Sequence, residues 1–165
     1  MEKEKEKTNF NSAFSIVFST IIYFLLLNTL PCYSQESVSS SPSVTVNGHK
    51  IFVEVAGTED AREKGLMWRK NLDRNKGMLF VFRDSAVRYF WMKNTFLPLD
   101  IAFIDSNMVI RTIHSTDAVN DSSALFSSYV PVQYVLEANK GWFEEHGAGR
   151  GDTIRIDRAI LQGSK

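Results

Sequence analysis

Two short runs of the sequence are apolar at nearly every position, and they constrain the fold more than any other feature. Gly77–Phe82 is GMLFVF, and Asp100–Asp105, DIAFID, is apolar between its ends. Successive side chains of a strand point to opposite faces of the sheet, so strands of this composition must be covered on both faces. Val87–Met92 has the same character, and we therefore expect Trp91 to be buried.

Other segments have the alternating pattern of strands that are covered on one face only. In Lys50–Ala56, apolar Ile51, Val53 and Val55 lie on one face and polar Lys50 and Glu54 on the other, and Asp152–Asp157 also alternates. Further strands are predicted at Met108–His114 and Val132–Ala138. The polar segment 115–128 between them has weak periodicity and predicts a long surface loop.

Two short helices complete the predicted elements. Thr58 is a good N-cap and Gly65 ends the first helix, whereas Asn139 and Gly147 bound the second. About seven short strands separated by turns are typical of a sandwich or a barrel. The sequence therefore predicts a mainly β fold, a compact β-sandwich or barrel with two short helices.

The N-terminus has the features of an export signal. Ala13–Leu27 is uncharged and apolar, yet shorter than the ~20 residues of a comfortable transmembrane helix. Such a run suits the apolar region of a signal peptide, and small residues precede Gln35. We predict a signal peptide over residues 1–34. A lipid anchor on Cys32 and an uncleaved N-terminal membrane anchor are the alternatives.

The predicted organisation after cleavage is simple. Residues 35–43 form a Ser-rich disordered leader, residues 44–158 form the β domain, and residues 159–165 form a frayed tail. Cleavage removes the one cysteine, which excludes disulfides, thiolate metal sites and cysteine nucleophiles. We expect an exported protein, periplasmic or extracellular, without stable membrane insertion once the signal is removed.

The charge balance excludes one class of partner. The chain has 19 basic and 19 acidic residues, so its formal net charge is zero. Nucleic-acid binding needs a clustered excess of Lys and Arg. We therefore predict no nucleic-acid partner.

A polar group interrupts the apolar sequence around residue 93. Lys93-Asn94-Thr95 stands between aromatic residues that include Trp91. Asn and Thr favour turns, so a turn is one interpretation. The other is the rim of a ligand pocket, because pockets combine aromatic walls with a few polar groups.

Three more residues are candidates for a site. Asp100 begins an apolar strand, where a buried carboxylate needs a partner. One interpretation is an ion pair with Lys93, and the other is a carboxylate that lies over a pocket. Arg62 suits a carboxylate or phosphate ligand, or a surface ion pair. His114, at a strand end, is the best candidate for proton chemistry.

No metal or cofactor is predicted. His49, His114 and His146 lack the spacing of a metal site, and a metal would require the fold to gather them. The chain contains neither a phosphate-binding glycine loop nor a serine-nucleophile motif.

Four motifs in order carry a family resemblance: AREKGLMWR (Ala61–Arg69), GMLFVF (Gly77–Phe82), FWMKNTFLPLDIAFID (Phe90–Asp105) and YVLEANKGWFEEHGAGRGD (Tyr134–Asp152). Together they resemble the DUF192 family, small bacterial and archaeal domains without an established function. The resemblance covers about residues 44–157. It implies a compact β-sandwich or barrel of jelly-roll type with short helices.

Three functional hypotheses follow. The favoured one is a binding or accessory module of the cell envelope, whose polar-rimmed aromatic pocket takes a small polar ligand or an envelope component. The second is a small hydrolase or lyase acting on envelope material, with Asp100 or His114 as general acid or base. The third is a structural component of an envelope complex.

The export hypothesis predicts a defined N-terminus. Intact-mass measurement of the secreted or periplasmic protein should give a chain that begins near Gln35. A lipid-modified Cys32, or a membrane-bound chain that retains Met1, would contradict it.

Overall fold

The computed structural model describes residues 41–117 and 120–163. The predicted signal peptide and most of the predicted leader lie outside these residues. Among the helices that the structure describes, none has the length and apolar character needed to cross a membrane.

The described chain contains nine strands and three short helices. The strands are β1 (Ser43–Val46), β2 (His49–Ala56), β3 (Lys76–Ala86), β4 (Tyr89–Trp91), β5 (Leu99–Ile104), β6 (Ile110–Thr116), β7 (Leu125–Ser127), β8 (Val132–Asn139) and β9 (Ile154–Ile156). The helices are α1 (Glu59–Lys64), α2 (Trp142–Glu145) and α3 (Arg158–Gly163).

Seven strands form one curled sheet in the order β6-β5-β8-β3-β2-β1-β9. Neighbours are antiparallel except β2 and β3, which are parallel. Just outside its two edge strands, Val109 and Thr153 form a bridge, and the Ile110 amide donates to the Asp152 carbonyl at 2.9 Å. The sheet therefore curls far enough for its edges to meet, which confirms the mainly β, barrel-type fold.

Two apolar clusters cover the two faces of this sheet. Leu79 of β3 and Leu136 of β8 belong to one cluster, whereas Phe80 and Val135, the next residues along, belong to the other. All six residues of β5 are buried, as are Gly77–Val81 of β3. The prediction that these two strands are covered on both faces is confirmed.

The prediction for Val87–Met92 is wrong. Only Tyr89–Trp91 form a strand, and β4 pairs with β7 in a separate two-stranded sheet. Phe90 points inwards, with its ring centroid 4.8 Å from that of Phe80. On the outer side of this small sheet Tyr89 is exposed, and Trp91 is 42% exposed rather than buried.

Three local features differ from the prediction because tertiary contacts determine them. The predicted loop 115–128 contains β7, which β4 stabilises by pairing. The tail that was predicted to fray contains α3, whose Ile160 packs in the core. The domain begins at Ser43 within the predicted leader, because the Ser43 amide and hydroxyl both donate to Asp157 Oδ2, at 2.9 and 2.6 Å.

Gly77 marks a close approach of β3 to β8 and yields a stability test. A Cβ at this position would lie 2.4 Å from the Glu137 carbonyl oxygen and 3.1 Å from Ile51 Cδ1. Gly77→Ala should therefore lower the free energy of unfolding by about 1–3 kcal/mol, as overpacking does, in denaturant titration. Gly57→Ala is the control, since nothing lies within 4 Å of its Cβ. Equal effects of the two changes would contradict the close approach.

Candidate functional site

A cavity of about 600 Å³ lies between α1, β3 and β4. Aromatic side chains form much of its wall, and three arginines, one lysine and four carboxyl groups, including one from the centre of the sheet, also line it. The aromatic residues are Phe80, Phe82, Tyr89, Phe90 and Trp91. An aromatic wall with a few polar groups is the usual composition of a small-molecule site.

Helix α1 forms one side of the cavity and is held at both ends. The Thr58 hydroxyl accepts a hydrogen bond from the Ala61 amide at 3.2 Å, as expected of an N-cap. Gly65 ends the helix with a φ of +48°, close against the Phe80 ring. Arg62 ties α1 to β3, because its Nη1 donates to the Val81 carbonyl at 3.1 Å.

Two guanidinium groups lie over the ring of Phe82. The distance from the guanidinium carbon to the ring centroid is 5.0 Å for Arg62 and 4.0 Å for Arg88. Arg88 Nη2 also donates to Asp84 Oδ1 at 2.7 Å, and this bond holds the pKa of the Asp84 carboxyl below its ordinary value. The cavity therefore has a cationic end beside Phe82.

The Arg88 side chain keeps one donor unused. Its Nε is buried and has no hydrogen-bond partner among the residues that the structure describes. Its backbone is fixed, because the Arg88 amide donates to Ser128 Oγ and the Ser128 amide donates to the Arg88 carbonyl, each at 3.0 Å. A buried donor without a partner is rare in proteins and indicates a position where a ligand or water can bind.

Glu137 of β8 places a carboxyl in the interior of the sheet. It is 5% exposed, and its neighbours on the adjoining strands are Met78 of β3 and Ile101 of β5. Its carboxyl forms no hydrogen bond within residues 41–117 and 120–163. Burial raises the pKa of Glu137 to about 8, so the group is mostly protonated at neutral pH. Glu137 is also part of the cavity lining.

The two polar ends of the cavity are separated along β3. Glu137 lies opposite Met78, and the guanidinium groups lie over Phe82, four residues further along the strand. At about 3.3 Å per residue, this spacing corresponds to roughly 13 Å. The cavity thus has the Glu137 acid at one end and aromatic rings in between. At the other end are Arg62 and Arg88, with the Asp84 carboxylate that Arg88 binds. Glu59, Glu63 and Lys64 also line it.

Residues 42–156 match the model of the DUF192 family, which is described as an uncharacterised ACR. The chain belongs to the DUF192 family. No match is found among curated proteins.

Two solved structures are similar to this DUF192 domain. A protein from Sinorhizobium meliloti 1021, described as a candidate transcription regulator, is 42% identical, with a TM-score of 0.65. A protein of unknown function from Novosphingobium aromaticivorans DSM 12444 is 30% identical, with a TM-score of 0.67. Each match covers 71% of this chain and 94% of the other.

The DUF192 domain brings most of the predicted ligand-binding residues to this region. Arg62, Trp91 and Thr95 line the cavity. Lys93 and Asn94 line an adjoining groove of about 400 Å³, of which Trp91 is also a wall. The Lys93 ammonium lies 5.1 Å from the centroid of the Trp91 indole.

The polar group at residues 93–95 is a turn as well as part of this rim. The Thr95 amide donates to the Met92 carbonyl at 3.1 Å, and Asn94 has a φ of +53°. Asn tolerates this left-handed conformation better than most residues. The two interpretations of the sequence are therefore compatible.

Asp100 has a structural environment away from the cavity. Its carboxylate accepts hydrogen bonds from Ser115 Oγ at 2.6 Å, from the Gly141 amide at 2.9 Å and from the Phe143 amide at 3.4 Å. The bonds to Gly141 and Phe143 cap the start of α2. The predicted ion pair between Lys93 and Asp100 is wrong, since Asp100 binds these groups and Lys93 lies over Trp91.

His114 lies on the other face of the sheet from Asp100. Asp100 pairs with Ser115, whereas His114 pairs with Ile101, the next residue along β5. His114 Nε2 is 2.8 Å from the Ser127 carbonyl oxygen, and its ring lies among those of Phe103, Phe126 and Tyr129. Asp100 and His114 therefore do not converge on one cleft.

The fold brings two of the three histidines together without forming a metal site. The rings of His49 and His146 are 4.6 Å apart, and His146 Nδ1 is 2.7 Å from the Trp142 carbonyl. In the described part of the chain, no three His, Cys, Asp or Glu side chains form a group that could hold a metal ion.

Glu137 and Arg88 are the cavity residues that sequence reasoning missed. A signal for Glu137 was present, because it is the one charged residue in the apolar run VQYVLEA. This is the same signal that singled out Asp100. Arg88 lies in a segment with several charges and offered no such contrast.

The raised pKa of Glu137 predicts how stability depends on pH. The folded protein retains a proton that the unfolded chain, with an ordinary value of 4.5, releases, so stability falls as pH rises from about 4.5 to about 8. The slope contributed by this group is at most about 1.4 kcal/mol per pH unit. Glu137→Gln should remove this contribution, so its stability relative to the native protein should rise across this window in denaturant titrations. If the stability difference between Glu137→Gln and the native protein does not change with pH, the raised pKa of Glu137 would be contradicted.

Proposed function

We propose that this DUF192 domain is a ligand-binding module of the cell envelope, and that its cavity takes a small polar ligand with an anionic group. The observation that carries the proposal is the buried carboxyl of Glu137, which has no hydrogen-bond partner among the described residues and borders an aromatic cavity. Burying such a group without a hydrogen bond costs stability. Groups with strongly shifted pKa values that face a cavity are frequent at functional sites.

The two ends of the cavity support a specific ligand chemistry. The guanidinium groups of Arg62 and Arg88 suit a carboxylate or phosphate, and Arg88 Nε offers an unused donor. At the other end, the protonated Glu137 carboxyl can donate a hydrogen bond to a carbonyl or hydroxyl oxygen. The aromatic walls between them suit an apolar body or the apolar face of a ring.

The envelope location rests on the N-terminal sequence. The apolar run Ala13–Leu27 and the small residues before Gln35 suit export to the periplasm or the extracellular space. The balanced 19 basic and 19 acidic residues offer no electrostatic basis for binding nucleic acid.

An enzymatic function is the second candidate, and the raised pKa of Glu137 favours it. A carboxyl that remains protonated near neutral pH can act as a general acid, as a hydrolase or lyase of envelope material would require. The form of this hypothesis that relies on Asp100 or His114 is weakened by their separation on opposite faces. In the enzymatic case, Glu137→Gln would abolish turnover of a screened ligand yet retain its binding.

The binding proposal is tested by a thermal-shift screen of the domain against small carboxylates, envelope sugars and short peptides. A ligand that binds only the folded state raises the melting temperature. We expect an anionic hit, and we expect Arg88→Met to weaken its binding by about tenfold or more, since charged hydrogen bonds contribute ~1.5–3 kcal/mol.

Arg69→Met is the matched control. Arg69 also pairs with a carboxylate, since its Nη1 lies 2.5 Å from Glu54 Oε1, but it is not among the residues that line the cavity. We expect this variant to retain the native affinity. Equal losses in the two variants, or a screen without any hit, would count against the proposed site.

A further inference from the structure

We propose that the binding site continues past Trp91 into the adjoining groove, and that it takes an oligosaccharide whose acidic sugar unit occupies the cavity. This inference rests on the proposed function, because it identifies the class of ligand that the cavity accepts. It adds a second subsite, the groove lined by Asp60, Glu63, Lys64, Met67, Trp91, Lys93 and Asn94.

The cavity and the groove adjoin each other, since Glu63, Lys64, Met67 and Trp91 line both of them. A ligand longer than the cavity can therefore extend past Trp91 into the groove. The groove has a volume of about 400 Å³, comparable to the lower range of small-molecule sites. An extended ligand fits this arrangement better than a single compact one.

Three exposed aromatic rings lie on or near the residues of the groove. Trp91 is 42% exposed, Trp68 is 65% exposed and Phe96 is 45% exposed. The Trp68 and Phe96 ring centroids are 6.1 Å apart, and the Trp68 amide donates at 2.8 Å to the carbonyl of Asn94, a groove residue. Clustered exposed rings of this kind mark interaction surfaces. Their faces suit sugar rings, which present C–H groups on one face and hydroxyls at the edge.

Trp68 is also held in a costly backbone conformation. Its φ is +64°, and a bulky residue in the left-handed region is an outlier. Such strain persists only where the surrounding structure maintains it, and it is concentrated at functional sites. Here it accompanies a tryptophan that points largely into solvent, beside the groove.

The charges of the groove favour a sugar chain over a polyelectrolyte. Asp60 and Glu63 balance Lys64 and Lys93, so the groove has no excess of either sign. Single-stranded nucleic acids need a basic groove beside their stacking residues, and anionic lipid surfaces need a basic patch. Hydroxyl groups, by contrast, can donate to carboxylates and amide oxygens and can accept from ammonium and amide N–H groups.

The backbone around the groove disfavours an extended peptide. A peptide that adds to a sheet needs free main-chain groups along an edge. Here the Met92 amide donates to the Asp121 carbonyl at 3.1 Å, and the Asn94 amide donates to Asn120 Oδ1 at 3.1 Å. The Trp68 amide is bonded to Asn94 as well. The surface therefore presents side chains rather than a free strand edge.

The test compares a short ligand with a long one by isothermal titration calorimetry of the domain. The probes are glucuronic acid and the tetrasaccharide in which glucuronic acid alternates with N-acetylglucosamine. We expect the tetrasaccharide to bind at least about tenfold more tightly than the monosaccharide, because only it reaches the groove. In Trp68→Asn this advantage should fall below about twofold, with glucuronic acid binding unchanged. Asn is chosen because it tolerates a positive φ.

Tyr129→Asn is the matched control. Tyr129 is likewise an exposed aromatic residue with a positive φ, of 58°. Its ring packs near His114, however, whereas the Trp68 amide is bonded to the groove residue Asn94. We expect this variant to keep the full advantage of the tetrasaccharide. If Trp68→Asn does not fold, Phe96→Ser removes the other ring of the pair and serves instead.

Three outcomes would overturn the inference. Equal affinities for the two probes would leave the cavity as the whole site, and the proposed binding function would stand. If neither saccharide binds but the thermal-shift screen finds another anion, the saccharide inference would be wrong and the proposed binding function would stand. Binding of a peptide from that screen that is lost in Trp68→Asn and kept in Tyr129→Asn would assign the groove to peptides.

Discussion

Strand β8 pairs with β3 on one side and with β5 on the other, and apolar side chains cover both of its faces. The other strands of the sheet are added on either side of these three, β6 next to β5, and β2, β1 and β9 beyond β3. The sheet curls until its edge strands β6 and β9 approach each other. The close contact of β8 with β3 requires a residue without a side chain at Gly77. Glu137 lies in the buried middle of β8 and is 5% exposed, so its carboxyl is confined to the interior or to a cavity that reaches it.

The two carboxyl groups buried in the central strands are accommodated in different ways. Asp100 on β5 accepts three hydrogen bonds and caps α2, so its burial is compensated within the protein. Glu137 on β8 has no such donors among the described residues, and its burial favours the neutral acid. A buried carboxyl thus stabilises the fold at Asp100 and lines a cavity at Glu137. The two positions differ in whether nearby groups donate hydrogen bonds to the carboxyl.

The cavity exists because the chain leaves the main sheet after β3. Strand β4 pairs with β7 rather than with the barrel, and Phe90 alone contacts the rings of Phe80 and Phe103 beneath it. Helix α1 closes the opposite side, held by the hydrogen bonds of Arg62 to the Val81 and Gly57 carbonyls. Tyr89 and Trp91 remain exposed at the rim.

The sequence by itself determined the fold class and two of the three strands predicted to be covered on both faces, because local hydrophobic periodicity reports how many faces of a strand are buried. It also placed Arg62, Trp91 and Thr95 among the candidates that the cavity includes. Only the tertiary structure decided which buried carboxyl is satisfied and which faces a cavity, since the donors to Asp100 come from Ser115, Gly141 and Phe143. Strand β7 and helix α3 likewise form through contacts with distant segments, which a local pattern does not contain.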